Sequence, residues 1–309
     1  MVINLNIDIV IPIFNEAKSV YDNISEIHRA LCTDSISHRF ILVDDGSTDG
    51  TWKEIIRLDI SQTTALRLSR NFGKEAAVCA GLTKSSSDAC VVMDCDLQHP
   101  PQMIKVMLDK RKEGYPIVEC VKVDRGRENV VSRAFAKLFY LGFRKMSGFD
   151  FDNSSDYKLI DKSVIEAWKE MGDTNVFFRG MIEWVGYEKC RIPFAVAKRS
   201  GGSSSFSRLR LLRLALTAIT SFSSKPLMIT NIIGLLFFLG AVILTMQTLA
   251  NKYAGMAQSG FTTVIILQLL IGSLILFCIG IIGMYIARIF DEVKGRPRYV
   301  VREIFRCGS

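Results

Sequence analysis

Two aspartates with one residue between them, Asp94 and Asp96, follow the apolar residues 89–93 and precede Gln98, His99 and two prolines. Carboxylates at the end of a buried strand require solvent or a counter-ion. Carboxylate oxygens are the ligands that Mg²⁺ and Mn²⁺ prefer, and these ions commonly bridge a protein to the phosphates of a nucleotide. The pair therefore indicates a divalent cation carrying a diphosphate. One aspartate capping a helix and the other facing solvent would give the same pattern.

Two more polar clusters follow apolar runs nearer the amino terminus. Residues 12–16, PIFNE, end the first run, and Asp44 and Asp45 open the second cluster, DDGSTDG. Adjacent aspartates can accept hydrogen bonds from a base N–H and from ribose hydroxyls, but Asp, Gly, Ser and Thr are also ordinary turn and helix-capping residues. Composition leaves both interpretations open. Because ligands of an open parallel sheet bind at the carboxyl ends of its strands, we expect all three clusters to face one cleft.

The elements that must position these clusters follow from the pattern of residues 1–200, where short β-branched runs alternate with amphipathic stretches. Such alternation predicts βαβ units in an α/β domain, with a mainly parallel sheet whose strands are buried on both faces. The predicted strands occupy residues 7–14, 40–47, 64–69, 89–96 and 116–123, and the predicted helices occupy residues 16–31, 51–58, 74–85 and 101–114.

The carboxyl-terminal part of the chain is more apolar. Residues 227–250 and 261–287 each contain more than 20 residues without a charge. Each run is long enough to cross a hydrocarbon core of about 30 Å as a helix; a buried helical hairpin is the alternative. The loop between the runs carries only Lys252, whereas basic residues flank the pair, at Arg208, Arg210, Arg213 and Lys225 before it and at Arg288, Lys294, Arg296 and Arg298 after it. The positive-inside rule therefore places both chain termini and the α/β domain in the cytoplasm.

Residues 206–222, just before the first apolar run, place leucines at helical spacing and arginines near the start. This pattern is typical of an amphipathic helix at a membrane surface, and a core helix would also produce it. The amino terminus lacks a basic segment and a small-residue cleavage site, so we expect no signal peptide.

Composition narrows the classes of function. Of the 309 residues, 49% are hydrophobic, and the net charge is +8. This hydrophobic fraction agrees with a part of the chain lying in lipid. Much of the positive charge flanks the apolar runs, and no motif resembles an aromatic platform on a basic groove, so we expect no nucleic-acid partner. The eight cysteines form no CxxC motif and no recognised spacing with histidine, so we expect reduced thiols and no zinc site.

The order of the motifs is more specific than any one of them. The series VIPIFNE, VDDGSTDGT, RNFGKEAAVCAGL and MDCDLQHPP resembles the family 2 glycosyltransferases, and specifically the polyprenyl-phosphate sugar transferases, which include dolichyl-phosphate mannose synthases and bactoprenol glucosyltransferases. The resemblance continues through SSDYKLIDKSVIEA, FFRGMIEWVGY, GGSSSFSRLRLLRLALTAITSFS, the two apolar runs and GRPRYVV. It covers nearly the whole chain. It implies a nucleotide-diphospho-sugar transferase fold of the Rossmann-like GT-A type.

The resemblance also implies roles for individual residues on the donor side. The positions that hold the nucleoside are matched by Pro12, Phe14, Glu16 and Asp45, and those that hold the metal and diphosphate by Asp94, Asp96 and Gln98. Lys122 and Arg125 fall where the family usually has two arginines. A lysine keeps the charge but loses the bidentate fork, so Lys122 is the less secure phosphate ligand.

On the acceptor side, Asp156 matches an acidic position near the reacting centre, and Lys198 and Arg199 match a basic segment proposed to meet a phosphate. Two departures from the family pattern stand out. His99 replaces a frequent aspartate, and Ser205 with Phe206 replaces a frequent Lys-Tyr pair. The second departure makes the acceptor site depend more heavily on Lys198, Arg199 and Arg208. For His99, a contact at a helix start and a metal contact are both open, with the former expected first.

The resemblance implies inverting transfer of a hexose from a nucleoside-diphosphate sugar to a polyprenyl phosphate, with Asp96, Asp156 and Arg125 at the catalytic centre and Mg²⁺ or Mn²⁺ as cofactor. UDP-glucose and undecaprenyl phosphate are the first expectation, and GDP-mannose or UDP-N-acetylglucosamine are alternative donors. A processive polysaccharide synthase would need more membrane helices and a QxxRW motif, which the sequence lacks. A non-enzymatic membrane scaffold would leave the ordered acidic clusters unexplained.

The expected organisation is a cytoplasmic transferase domain at residues 1–200, an interfacial helix region at 201–225, two transmembrane helices within 226–290 and a cytoplasmic tail at 291–309. Glycines within the apolar runs would let the spans pack against a second copy, so a homo-oligomer is left open.

Overall fold

The computed structural model describes residues 6–34, 36–122, 155–171, 178–194, 225–255 and 260–307. The chain divides into two compact units. The first comprises Met1–Arg144, Phe149–Phe206 and Gly295–Ser309, and the second comprises Lys145–Gly148 and Ser207–Lys294.

The first unit is an α/β domain. Its strands are β1 (Ile7–Ile13), β2 (His38–Asp44), β3 (Thr63–Leu68), β4 (Ala89–Val92), β5 (Ile117–Lys122), β6 (Lys158–Asp161), β7 (Lys189–Phe194) and β8 (Val301–Cys307). Its helices are α1 (Val20–Thr33), α2 (Thr51–Ile56), α3 (Lys74–Lys84), α4 (Met103–Lys112), α5 (Lys162–Glu170) and α6 (Phe178–Val185). The elements predicted between residues 7 and 123 are therefore all present.

The described strands form one sheet in the order β7-β5-β6-β4-β1-β2-β3-β8. Strands β1 to β4 run parallel to one another, as expected, whereas β6 runs antiparallel to β4 and β5. Strand β1 lies between β2 and β4, so the chain moves outward from β1 in both directions. This is the switch point at which open α/β sheets form a crevice for ligands.

Burial of the central strands and of one face of α1 builds the core. Ile9 and Ile11 on one face of β1 and Val10 on the other are fully buried, which requires cover on both faces of the sheet. Helix α1 buries Val20, Ile24, Ile27 and Leu31 at the spacing of one helical face. Each such side chain contributes about 1.5–3 kcal/mol when it leaves water.

Helix α3 lies very close to β1. A Cβ atom added at Gly81 would come within 2.3 Å of the Val10 side chain. Only glycine permits this approach without a shift, and the approach fixes where the amino end of α3, with Lys74, meets the sheet.

The carboxyl-terminal residues correct one expectation. Residues 291–309 were expected to form a separate tail, but β8 pairs with β3 in antiparallel register and extends the sheet. Its alternating pattern, VREIFRC, suits an edge strand with one face toward solvent. Gly295–Ser309 therefore belong to the first unit, with the α/β domain.

A buried ion group links the strands beyond β4. Lys158 Nζ on β6 lies 2.9 Å from Glu119 Oε1 on β5, and Arg191 Nε on β7 lies 3.5 Å from Glu119 Oε2. The side chains of Glu119 and Lys158 are 0% and 1% exposed. The Ser155 N–H also donates to Glu119 Oε1, so this group reaches the segment that carries Asp156.

The second unit contains α7 (Lys225–Tyr253) and α8 (Phe261–Val293). Each includes a segment long and apolar enough to cross a membrane, Thr230–Thr248 and Leu267–Val293, and none of the side chains in these segments is buried. Large apolar side chains such as Phe238 and Leu276 are 65% and 71% exposed. The expected interfacial helix at 201–225 lies outside the described residues except for Lys225.

Candidate active site

The antiparallel pairing of β4 and β6 brings two distant aspartates together. Val92 is the register partner of Lys158. The residue two positions after Val92, Asp94, therefore meets the residue two positions before Lys158, Asp156. Both carboxylates lie at the carboxyl edge of β4, next to the switch point of the sheet.

Lys74, at the first position of α3, connects the two carboxylates. Its Nζ lies 2.6 Å from Asp94 Oδ1 and 2.8 Å from Asp156 Oδ2. Arg179, on α6, places Nε 2.6 Å from Asp156 Oδ1. We call Lys74, Asp94, Asp156 and Arg179 the ion-pair cluster. Part of the positive charge that the aspartate pair requires is thus supplied by the chain itself.

The cluster holds Lys74 and Asp156 in their charged forms. Burial alone would raise the pKa of Asp156, but the Arg179 and Lys74 cations outweigh burial and hold it well below the usual range. Burial alone would lower the pKa of Lys74, but Asp156 and Asp94 more than offset burial and raise it. Asp156 is therefore ionised at neutral pH and is a weak proton acceptor.

The loop after β4 is shaped by its own backbone. Leu97 has a φ of 58°, and the Gln98 N–H donates to Asp96 Oδ1 at 3.1 Å. The Asp94 N–H donates to His99 Nδ1 at 3.1 Å, so that nitrogen carries no proton. His99 is buried and stacks on Tyr157 with ring centroids 4.8 Å apart. His99 therefore packs beneath the loop through the Asp94 amide and the Tyr157 ring.

The loops after β1 and β2 are joined by hydrogen bonds from backbone to side chain. The Asn15 N–H donates to Ser47 Oγ at 2.9 Å, and the Glu16 N–H donates to Thr51 Oγ1 at 2.8 Å. Pro12 lies near the end of β1, and Phe14 beyond it is 42% exposed. An exposed aromatic ring at the carboxyl edge is a surface on which a base can stack.

Asp45 fixes the loop that leads to Lys74. Its two oxygens accept hydrogen bonds from the N–H groups of Phe72, at 2.8 Å, and Gly73, at 2.9 Å. Burial raises the pKa of Asp45, and these two N–H groups offset part of the rise. Gly46 is held at a φ of +67°, and a Cβ there would lie 2.3 Å from the Arg70 carbonyl carbon. Asp45 and Gly46 thus allow the loop after β2 to pack against the loop between β3 and α3.

The structure therefore brings the three predicted clusters to one edge, with Asp94, Asp96 and Gln98 on one loop and Pro12, Phe14, Glu16 and Asp45 on the adjacent ones. Lys122 is the last residue of β5, and its side chain is not among those that the structure describes. The predicted residues Arg125, Lys198, Arg199 and Arg208 lie outside the described residues.

Two residues of the ion-pair cluster, Lys74 and Arg179, were not predicted as site residues. Both lie within motifs noted in the sequence, RNFGKEAAVCAGL and FFRGMIEWVGY. The available signal for Lys74 was a cation at the start of a helix that follows a strand end. A cation is not favoured there by the helix dipole, so it requires a nearby anion.

Glu75, next to Lys74, is a titratable group of the site. It accepts a hydrogen bond from the Phe178 N–H at 2.7 Å. Burial raises its pKa to about 7, and the neighbouring Asp156 carboxylate adds to this rise. The folded state therefore keeps a proton on Glu75 at pH values where the unfolded chain, with a pKa of about 4.3, has lost it.

Because the folded-state pKa is raised, the stability linked to Glu75 is fully present below about pH 4.3 and is lost as pH rises to about 7. We expect Glu75→Gln to be more stable than the parent at pH 8, on the order of 3 kcal/mol, and nearly equal at pH 4. Thermal unfolding of both proteins at the two pH values measures this. An equal difference in melting temperature at both values would contradict the raised pKa.

Comparison with known proteins agrees with this geometry. The model of the Glycosyl transferase family 2 matches residues 8–168. The chain is 33% identical to the SfII prophage-derived bactoprenol glucosyl transferase of Shigella flexneri, over 98% of this chain and 99% of the relative. It is 32% identical to the prophage bactoprenol glucosyl transferase homolog of Escherichia coli (strain K12), over 97% of this chain and 99% of the relative.

Among solved structures, mannosyl-3-phosphoglycerate synthase from Rubrobacter xylanophilus shares the fold, with a TM-score of 0.53 and 19% identity over 70% of this chain and 73% of that chain. The first unit thus has the GT-A fold of nucleotide-sugar transferases. The matched family model and the relatives similar over nearly their whole length show that this chain is an enzyme of glycosyltransferase family 2.

Proposed function

We propose that this protein transfers glucose from UDP-glucose to undecaprenyl phosphate at the cytoplasmic face of a membrane, with inversion at the anomeric carbon. The observation that carries the proposal is the meeting of the Asp94–Asp96 pair with the Lys74–Asp156–Arg179 ion pairs at the switch point of the sheet. Relatives named bactoprenol glucosyl transferase over nearly the full chain support the acceptor and the sugar. The product would be a lipid-linked sugar donor for cell-envelope glycans.

The donor would lie across the carboxyl edge of β1, β2 and β4. Phe14 would stack on the base, and Pro12, Glu16 and Asp45 would border the nucleoside. Asp94, Asp96 and Gln98 would meet the diphosphate. Lys122, at the end of β5, and Arg125, three residues later in the sequence, would provide further contacts to the phosphates.

The residues present fit a hard divalent cation. Asp94 and Asp96 offer carboxylate oxygens on a half-buried loop, whereas the thiol of Cys95 is buried and His99 Nδ1 already accepts a hydrogen bond. Bound there, Mg²⁺ or Mn²⁺ would supply neutralisation of the charge that develops on the leaving diphosphate. Lys74 would contribute a second positive charge from the protein side.

The acceptor explains why a strong base is unnecessary. A phosphate monoester is largely ionised near neutral pH, because its second pKa is about 6. Asp156, held ionised by Lys74 and Arg179, would orient these cations and the sugar instead of removing a proton. Lys198, Arg199 and Arg208 remain proposed contacts for the acceptor phosphate.

The two long apolar helices, α7 and α8, would hold the enzyme at the bilayer that contains the polyprenol tail. Confining enzyme and acceptor to one surface raises their effective concentration. The distribution of basic residues supports two spans with the catalytic domain and both chain termini on the cytoplasmic side.

Replacement of Asp156 by asparagine tests whether Asp156 acts as a general base or orients the cations and the sugar. We expect turnover to fall by about 10–100-fold, because Lys74 and Arg179 lose a shared anion. The variant should lose no limb of the pH dependence of turnover between pH 6 and 8, since Asp156 does not titrate there. Any limb that belongs to Glu75 should move to lower pH, because the Asp156 carboxylate helps to raise the pKa of Glu75. Initial rates of the two proteins across this pH range measure both quantities. Loss of an acidic limb from the pH profile in the variant would favour a base role.

The donor is tested with a panel of labelled UDP-glucose, UDP-N-acetylglucosamine and GDP-mannose, using the full-length protein, undecaprenyl phosphate and Mg²⁺ or Mn²⁺. We expect label in an organic-extractable lipid from UDP-glucose, and its loss with EDTA. Transfer from a different donor would replace the sugar in the proposal. A polymeric product would favour a processive synthase.

A further inference from the structure

A second group of metal-ligating side chains lies at the amino edge of the sheet. His28 and Cys32 are four residues apart on α1, so they share one face of the helix. His38 is the first residue of β2, whereas the site described above lies beyond the last residue of that strand. A strand of this length separates the two locations by about 20 Å.

The three ligand atoms lie close enough together to reach one metal ion. His28 Nδ1 and His38 Nε2 are 2.9 Å apart, and Cys32 Sγ lies 3.9 Å from His28 Nδ1. All three atoms lie within 4.8 Å of one another. With Zn–N bonds of about 2.1 Å and Zn–S bonds of about 2.3 Å, tetrahedral ligands are separated by about 3.4 Å for two nitrogens and about 3.6 Å for nitrogen and sulfur. Small side-chain rotations would reach these values.

Neighbouring groups orient the imidazole rings of His28 and His38 for binding a metal ion. His38 Nδ1 donates to the Ile36 carbonyl oxygen at 2.8 Å, which turns the lone pair of Nε2 toward His28. Metal-bound histidines characteristically donate their second N–H to such a carbonyl. Both rings rest against the buried Phe40, with centroids 6.1 and 5.1 Å from it. Cys32 is exposed, so water can complete the coordination.

We propose that His28, Cys32 and His38 form a binding site for a transition-metal ion of the Zn²⁺ class. Two imidazoles and one thiolate are a ligand set that Zn²⁺ favours over Mg²⁺ or Ca²⁺. The ion would tie the end of α1 to the start of β2 and stabilise the fold. It would take no part in sugar transfer.

Binding requires two proton movements. The hydrogen that now bridges His28 Nδ1 and His38 Nε2 is displaced, and the neutral His28 ring carries its proton on Nε2 instead. The Cys32 thiol releases its proton to solvent and binds as thiolate. Burial lowers the pKa of both imidazoles, which favours the neutral form that binds metal.

The sequence expectation of no zinc site was based on the lack of a recognised cysteine–histidine spacing. The proposal departs from that expectation, because His28 and Cys32 stand one helical turn apart and the fold brings His38 to them from the next strand.

Cobalt titration of the purified full-length protein tests the site. We expect a thiolate-to-Co²⁺ charge-transfer band with tetrahedral visible bands, saturating at one ion per chain and abolished by Zn²⁺. Cys32→Ser and His38→Gln should lose the band. Cys307→Ser, which removes another partly exposed thiol, and Asp96→Asn, which alters the carboxylate site, should keep it.

Zinc should also raise the melting temperature of the parent protein but not of His28→Gln, while sugar transfer by Cys32→Ser stays at the parent level. Absence of the charge-transfer band at a large excess of Co²⁺ would overturn the proposal. A band that persists in Cys32→Ser, or that disappears in Cys307→Ser, would overturn it as well.

Discussion

Asp96→Asn is expected to lower turnover of sugar transfer by about 1,000-fold or more, the scale of losing an electrostatic group aimed at developing charge. Asparagine keeps the size of the side chain, and its carbonyl oxygen can still accept the hydrogen bond from the Gln98 N–H. What it removes is the negative charge that attracts a divalent ion. Transfer of label into lipid at saturating donor measures the loss.

Asp109→Asn is a matched control for this variant. Asp109 lies on α4, its side chain is 59% exposed, and it pairs with Lys112 at the surface. The control makes the same chemical change and should retain parental turnover. If Asp96→Asn keeps turnover within about tenfold of the parent while Asp109→Asn is also active, the carboxylate pair is not the cation site.

Removal of Glu119 is expected to have the largest effect on stability. Glu119→Leu removes the Glu119 carboxylate from the buried Lys158 ammonium, and breaking a buried pair from one side costs about 3–5 kcal/mol. Arg191, which is 31% exposed, can be solvated more readily. The free energy of unfolding should therefore fall by this amount, measured as a lower melting temperature or denaturant midpoint.

The double variant Glu119→Leu/Lys158→Met should recover most of the lost stability, because it replaces both ions of the buried pair with apolar groups. Lys162→Met is a surface control, since Lys162 and Glu166 are 56% and 62% exposed at 3.8 Å, and such pairs contribute about 0–1 kcal/mol. Equal losses in the single and double variants would show that packing, and not charge pairing, makes Glu119 important.

The sequence was sufficient to predict the elements from β1 to β5. The central strands β1, β2 and β4 are buried on both faces and therefore contain continuous apolar runs. Helix α1 carries one apolar face, whereas α3 is buried over seven consecutive residues. The acidic clusters at strand ends were also predictable, because the carboxyl edge of a parallel sheet gathers whatever follows each strand.

The last strands were harder to predict for specific reasons. Strand β6 begins with Lys158, a charged residue that is acceptable in the core only because Glu119 accompanies it on β5. Strand β8 pairs with β3 from more than 200 residues away and shows only the alternating pattern of an exposed edge. Local composition therefore reveals neither that Glu119 accompanies Lys158 nor that β3 pairs with β8.

The ion-pair cluster was missed because it depends on tertiary contacts. Lys74 reaches Asp94 and Asp156 only because α3 lies against β1 at Gly81 and because the Phe72 and Gly73 amides are held by Asp45. Arg179 reaches Asp156 from α6, a helix far along the chain. No spacing rule connects these four residues in advance.

The acceptor is the central claim, and one partition experiment tests it most directly. Full-length protein would be incubated with labelled UDP-glucose and Mn²⁺, with and without undecaprenyl phosphate, and the organic and aqueous phases counted. We predict label in the organic phase only when the polyprenyl phosphate is present, and none with Asp96→Asn. Label confined to a water-soluble product, with the lipid phosphate making no difference, would contradict the proposed function.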